Sequence, residues 1–312
     1  MPSQPGPTAL APAADYDVPA LRLAVEREAE RVARLLAGAP DPDRPVPGLA
    51  WNVGQLAAHL CAAYHAFGLA IRGEDLPAEL AAASATAVAD AEADTHGGAA
   101  HDDTHGAAPG LRPERLAEIN SRSLPLFQQP TPAEAAEALR AAAAALLAAL
   151  DAHPDPAAPL PAPWYGAGVE LPAAVLAALA VSETLVHGRD LAGALGADRR
   201  LPPESARAAA PVVLGAMLPL LADEAATGGP PVAFRLRIRG ARPFDLRSAD
   251  GRAHCGPAAG PVDCTLSLSA DAALLIGFAR EPVWRTIATG RSFAYGRRPW
   301  LGLGFHRRFR TP

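Results

Sequence analysis

Residues 173–195 (AAVLAALAVSETLVHGRDLAGAL) form an apolar, Ala/Leu-rich run that reads as a buried helix, with Leu171-Pro172 leading in and Gly196 ending it. Two ionisable groups interrupt it. Glu183 and His187 are four residues apart, so on a helix they share one face, one turn from each other. Burying a neutral polar group without a partner costs roughly 2–7 kcal/mol, and a charge costs more. A bound metal is one compensation; a Glu–His hydrogen bond inside the core is the commoner one. The metal reading needs a third ligand.

A candidate comes from an earlier helix. Asn52 and Gln55 have the spacing of a capping box, opening a helix that runs to about Arg72 and stops at Gly73. His59 lies on its Leu56/Ala63 side, among apolar neighbours. Two histidines and one carboxylate, leaving a position free, match a catalytic zinc site; closed structural sites use four ligands rich in Cys. Two ligands from one helix and one from another is also how helix bundles build metal sites. By spacing alone both readings stand.

The rest of the chain up to residue 227 is helical in pattern. Residues 16–37 are amphipathic, helical spacing resumes at 112–127, Thr131 and Glu134 box the start of a helix through Leu150, and a further helix covers about 203–226. Residues 1–14 read as a disordered leader and 83–110 as a flexible insertion, low in complexity and without large apolar residues. His96, His101 and His105 with Asp102 and Asp103 fall in that insertion, where no core fixes their geometry. After Gly228-Gly229-Pro230-Pro231 the texture changes. VAFRLRIR at 232–239 alternates apolar residues with arginine, the mark of a half-buried strand. Further strands are expected at 244–247, 262–268 and 292–295, with one helix at 271–280 and a C-terminal helix. The expected fold is a mainly α N-terminal four-helix bundle (15–227) followed by a small α+β domain (231–312).

The net charge of −5 divides unevenly. From Gly229 onward 14 arginines face 5 acids, a balance of +9, so the first part carries −14. Complementary docking of two domains or an anion-binding second domain follows from that split. The basic residues carry no nucleic-acid-binding motif, so no nucleic-acid partner is expected. The longest uninterrupted apolar run, 208–222, contains Pro211, Gly215 and Pro219, too short and broken for a membrane span. Cys61, Cys255 and Cys264 make no even framework and no CxxC; with no signal peptide they read as reduced thiols of a cytoplasmic protein.

Two stretches carry a family resemblance. Trp51-Asn52-Val53-Gly54-Gln55-Leu56-Ala57-Ala58-His59-Leu60, followed over a hundred residues later by Glu183-Thr184-Leu185-Val186-His187-Gly188-Arg189-Asp190-Leu191, resembles the mycothiol-dependent maleylpyruvate isomerase family, part of the wider DinB-like group of metal-binding four-helix bundles. The resemblance spans about residues 15–225. It implies that His59, Glu183 and His187 bind a divalent metal, usually zinc, and that mycothiol is the co-substrate. In such an isomerase the metal-bound thiolate adds to an anionic electrophile across a cis double bond, the bond rotates, and elimination releases the trans product. The C-terminal part is similar to the sterol-carrier-protein-like α/β domain that often accompanies this bundle. The family's important Arg follows an apolar helix in a Gly-Arg motif. Arg280, in Leu275-Ile276-Gly277-Phe278-Ala279-Arg280, is the nearest match, with Ala279 where Gly is usual; Arg291, in Gly290-Arg291, is the second.

Asp190, one turn beyond His187, is either the acceptor of its second N–H or a surface acid near the helix end. Trp51 is placed to staple the start of the second helix rather than to wall the site. Cys61, about 200° from His59 on the helix, reads as packing. The expected function is a metal- and mycothiol-dependent isomerase or thiol transferase acting on a small anionic molecule. The alternative is a non-catalytic, metal-stabilised protein whose C-terminal domain carries a lipid or hydrophobic anion.

Overall fold

The computed structural model describes residues 15–78, 81, 113–166 and 168–311. The expected leader and the insertion with its three histidines lie outside the described residues.

Four helices form the bundle: α1 (Val18–Ala37), α2 (Val53–Arg72), α4 (Pro132–Ala152) and α5 (Ala173–Leu195). Local sequence sets their ends. Asn52 Oδ1 accepts from the Gln55 N–H at 2.8 Å and Gln55 Oε1 accepts from the Asn52 N–H at 3.0 Å, the reciprocal box that starts α2. Thr131 and Glu134 do the same for α4. Gly196 closes α5 at φ 71, a left-handed turn that glycine adopts without a Cβ penalty. Helix α3 (Pro113–Phe127) packs on α2, and a short hairpin, β1 (Pro159–Pro161) with β2 (Glu170–Pro172), leads the chain into α5.

Helix α5 is buried on nearly every side because α1, α2 and α6 (Pro203–Leu220) all pack on it. Gly188 lets it approach α1: a Cβ there would lie 2.6 Å from Arg31 Nη2 and 2.7 Å from Val32 Cγ2. Its contact with α2 is fixed by Tyr64, whose hydroxyl meets Thr184 Oγ1 at 2.8 Å, while Thr184 donates to Ala180 O. Burying that ring contributes roughly 2–3 kcal/mol, and the hydroxyl pair avoids the penalty of an unpaired polar group. Thr184 lies within, and Gly188 directly after, the stretch that runs from Glu183 to His187.

The expected helix over 203–226 is two. Helix α6 ends at Leu220, and Asp223 Oδ1 accepts from the Ala226 N–H to cap a separate turn, α7 (Glu224–Thr227). Beyond it stands a five-stranded sheet in the order β5-β4-β3-β6-β7, with β3 (Val232–Ile238) parallel to β6 (Cys264–Leu268) and the other pairs antiparallel. In β3, Val232, Phe234, Leu236 and Ile238 are buried, as the alternation predicts. Strands β4 (Phe244–Ala249) and β7 (Ser292–Tyr295) match expectation. Strand β5 (Arg252–Pro257) was not expected, since RAHCGP contains no β-branched residue; pairing with β4 makes it a strand. The single helix expected at 271–280 stops at Gly277 (α8, Ala270–Gly277), because Ala279 turns the chain at φ 51, and a second helix, α9 (Val283–Ala288), follows. The C-terminal helix is a 3₁₀ segment, Pro299–Arg308. Helix α6 packs on α5 with one side and on β3, β5 and α8 with another, so the buried core continues from bundle to sheet. Among the described residues, no helix is long and apolar enough to cross a membrane.

Candidate metal centre

Glu183, His187 and Asp190 lie on one face of α5, at the i, i+4 and i+7 positions. His59 faces them from the middle of α2. His59 Nε2 lies 3.1 Å and His187 Nε2 lies 3.3 Å from the same oxygen, Glu183 Oε2. One ligating atom from each of the three residues falls within 4.8 Å of the others. Ligands about 2.0–2.1 Å from a tetrahedral ion stand roughly 3.3 Å apart along each edge, so the two separations from Glu183 match two edges of such a site as well as they match hydrogen bonds. A metal would also relieve the crowding of two imidazoles on one carboxylate oxygen. The other ring nitrogen of His59, Nδ1, is buried with no hydrogen-bond partner among the described residues.

The electrostatics favour the ligating forms at two of the three positions. Burial alone would raise the Glu183 carboxyl, but the hydrogen bonds from His187 and His59 outweigh it and hold the group far below the usual carboxylate range. Burial pushes the His59 imidazole down, towards neutrality. Burial acts likewise on His187, yet Asp190 and Glu183 on either side raise it. Asp190 Oδ2 stands 3.4 Å from His187 Nδ1 without the alignment of a good hydrogen bond. Asp190 is 4% exposed, so it is a buried partner of His187 and not a surface acid.

Trp51 corrects a second expectation. Its ring lies 4.8 Å from the His59 ring and 5.9 Å from the His187 ring, so it walls the cluster. The residue before the Asn52 cap thus meets one histidine from its own helix, α2, and one from α5. Tyr165, from the turn between β1 and β2, lines the same cavity as Glu183. Its phenol is raised by burial and by the nearby Glu183. The only sequence signal for it was an aromatic pair just ahead of α5. Cys61 is packed away, its thiol pushed up to about 12 by burial.

Of the two arginine candidates, one reaches this region. Arg280 Nε donates to Asp190 Oδ2 at 2.9 Å and Nη1 donates to Phe278 O, leaving Nη2 without a partner among the described residues. Arg280 and Glu183 line one cleft of about 1120 Å³ between the bundle and the sheet. Arg291 lines a different cavity of about 510 Å³, where it is committed to Asp271 (2.9 Å) and Glu281.

A buried two-histidine, one-carboxylate cluster on two helices of a four-helix bundle defines a bundle with a candidate metal centre, and the sequence profile of the DinB superfamily matches residues 10–191. The chain belongs to the DinB superfamily. Among solved structures it is similar to the mycothiol-dependent maleylpyruvate isomerase, at 15% identity and a TM-score of 0.44, covering 88% of this chain and 91% of that one. A point mutant of the same enzyme matches at 13% identity and a TM-score of 0.42, with the same coverage. The stereoselective inverting sec-alkylsulfatase Pisa1 from Pseudomonas sp. matches at 16% identity and a TM-score of 0.30, over 44% of this chain and 24% of that one. The chain thus spans about a quarter of the sulfatase's length. No curated protein matches the chain by sequence.

Proposed function

We propose that the protein is a metal- and mycothiol-dependent isomerase or thiol transferase of the maleylpyruvate isomerase type, working in the cytoplasm on an anionic electrophile. The observation that carries this reading is that Glu183, which meets both His59 and His187, opens into a cleft also lined by Arg280. His59, Glu183 and His187 would hold the ion, zinc by donor type, and Asp190 would orient His187. When bound, a divalent ion with a free position supplies a Lewis acid that stabilises a thiol as thiolate at neutral pH. The chain's own residues do the remainder. Trp51 covers the histidine rings and keeps water from them. The unpartnered Nη2 of Arg280 is available to a substrate carboxylate. The chain's three cysteines are all buried, so the reacting thiol comes from a separate molecule.

The test is to add mycothiol and maleylpyruvate to metal-loaded protein and follow the cis substrate to the trans product. Turnover that requires mycothiol and fails in Glu183→Ala supports isomerisation. Turnover of other electrophiles alone restricts the proposal to thiol transfer, and no thiol-dependent reaction of any kind sinks it.

The second reading, a non-catalytic carrier of a lipid or hydrophobic anion, draws on the largely apolar lining of the cleft. A carrier cavity within the sheet, remote from the bundle, would favour it. The cleft instead includes Glu183, which favours the enzyme.

A further inference from the structure

The cleft at Glu183 has a lining more apolar than a small dianion calls for. At about 1120 Å³ it slightly exceeds the range usual for drug-sized ligands, roughly 300–1,000 Å³. Leu179, Met217 and Leu218 line it from the helices, and Leu236, Leu266 and Phe278 from the sheet side. The apolar character extends to the surface. Among the described residues, eight large apolar side chains are exposed, and five of them, Trp284, Ile287, Phe293, Trp300 and Leu303, line this cleft. The two tryptophans are 66% and 64% exposed. Scattered exposed apolar residues need no explanation, but their concentration around one cavity marks a binding surface.

The polar groups are few and unevenly placed. Glu183 comes from α5, and Arg280, tied to Asp190 on the same helix, has Nη2 without a partner among the described residues. Glu281, also in the lining, is held by Arg291. His306, Arg307 and Arg310 come from the C-terminal segment; Arg310 has Asp223 at 3.6 Å. The cleft therefore offers positive charge beside the candidate metal centre and a long apolar surface leading away from it.

We infer that the molecule taken at this centre is an amphipathic carboxylate, with an anionic head at Arg280 and an apolar body that fills the cleft towards Trp284 and Trp300. Calling it the substrate rests on the thiol-chemistry reading above; its binding does not. Burying each methylene is worth about 0.8 kcal/mol, up to about fourfold in affinity. A four-carbon dianion leaves nearly all of that surface unused.

The test is calorimetric titration of the full chain with butanoate, octanoate, dodecanoate and maleate, below their aggregation limits. Dodecanoate is expected to bind at least about tenfold more tightly than octanoate, with butanoate and maleate weaker still. The double variant Trp284→Ala/Trp300→Ala, which changes two exposed side chains and so leaves the core intact, should lose about tenfold for dodecanoate. Equal affinities across the series, or tightest binding by maleate, overturns the inference, as does a double variant that binds dodecanoate like the parent. A preserved series in a protein with no thiol-dependent turnover removes the enzyme reading and leaves the ligand class standing.

Discussion

Arg280 and Asp190 join the two parts of the molecule: the guanidinium Nε donates at 2.9 Å to a carboxylate one turn beyond His187. The turn after α8 is thereby tied to the helix that carries Glu183 and His187. Asp190 is 4% exposed, and burial alone would raise its carboxyl; His187 and Arg280 outweigh that and lower it.

Removing the guanidinium leaves that carboxylate buried with His187 at 3.4 Å and Arg189 at 4.0 Å as its remaining charged or polar neighbours. Arg280→Ala should cost about 2–4 kcal/mol in denaturant unfolding, and Asp190→Asn less, because a neutral amide is cheaper to bury. A loss under about 0.5 kcal/mol for Arg280→Ala would mean the pair is not formed in solution.

One residue earlier, Ala279 holds φ 51, a left-handed conformation that costs an L-residue about 1–2 kcal/mol. Ala279→Gly should relieve part of this and raise stability by about 0.5–1 kcal/mol, after the extra freedom glycine gains in the unfolded chain. Unchanged or lowered thermal stability in Ala279→Gly would contradict the strain.

What sequence reading recovered and what it missed divide along physical lines. The starts of α2 and α4, the end of α5 and the inward face of β3 are written in local patterns: capping boxes, a C-terminal glycine and period-two alternation. Glu183 and His187 were visible because helical spacing puts them on one face, and the resemblance singled out His59, whose approach to them the fold shows. Strand β5 was missed because β4, not its own composition, makes it a strand. Trp51 was assigned to the helix start because its packing on the histidines depends on how α2 and α5 cross. Arg280 ranked ahead of Arg291 on motif resemblance alone; the partners that separate them, Asp190, Asp271 and Glu281, are set by tertiary contacts.

Cysteine chemistry gives a further expectation. All three cysteines are buried, and burial pushes every thiol up, that of Cys61 to about 12. Native protein at pH 8 should therefore react slowly with a disulfide reagent and fully only after unfolding. A fast-reacting native thiol would reopen the possibility of an internal nucleophile.

The Asp271–Arg291 pair supplies a pH test. Burial would raise the Asp271 carboxyl, but the Ser269 hydroxyl and Arg291 outweigh it and hold it below its ordinary value. A carboxyl lowered in the folded state adds stability above its unfolded pKa of about 3.9, and that contribution is lost as pH falls through the lowered folded value. Asp271→Asn should therefore be less stable than the parent at pH 7, with the gap closing below about pH 4. A gap of constant size from pH 7 down to acid would show that the charge contributes nothing.

The central claim is that His59, Glu183 and His187 hold a metal, and metal analysis of tag-free protein, followed by zinc titration against a competing chelator, tests it most directly. The expected result is one divalent ion per chain, with affinity reduced at least about tenfold in His59→Ala and in Glu183→Ala, whose side chains meet at 3.1 Å. Protein that takes up no divalent ion, or that binds zinc equally well in both variants, would contradict it.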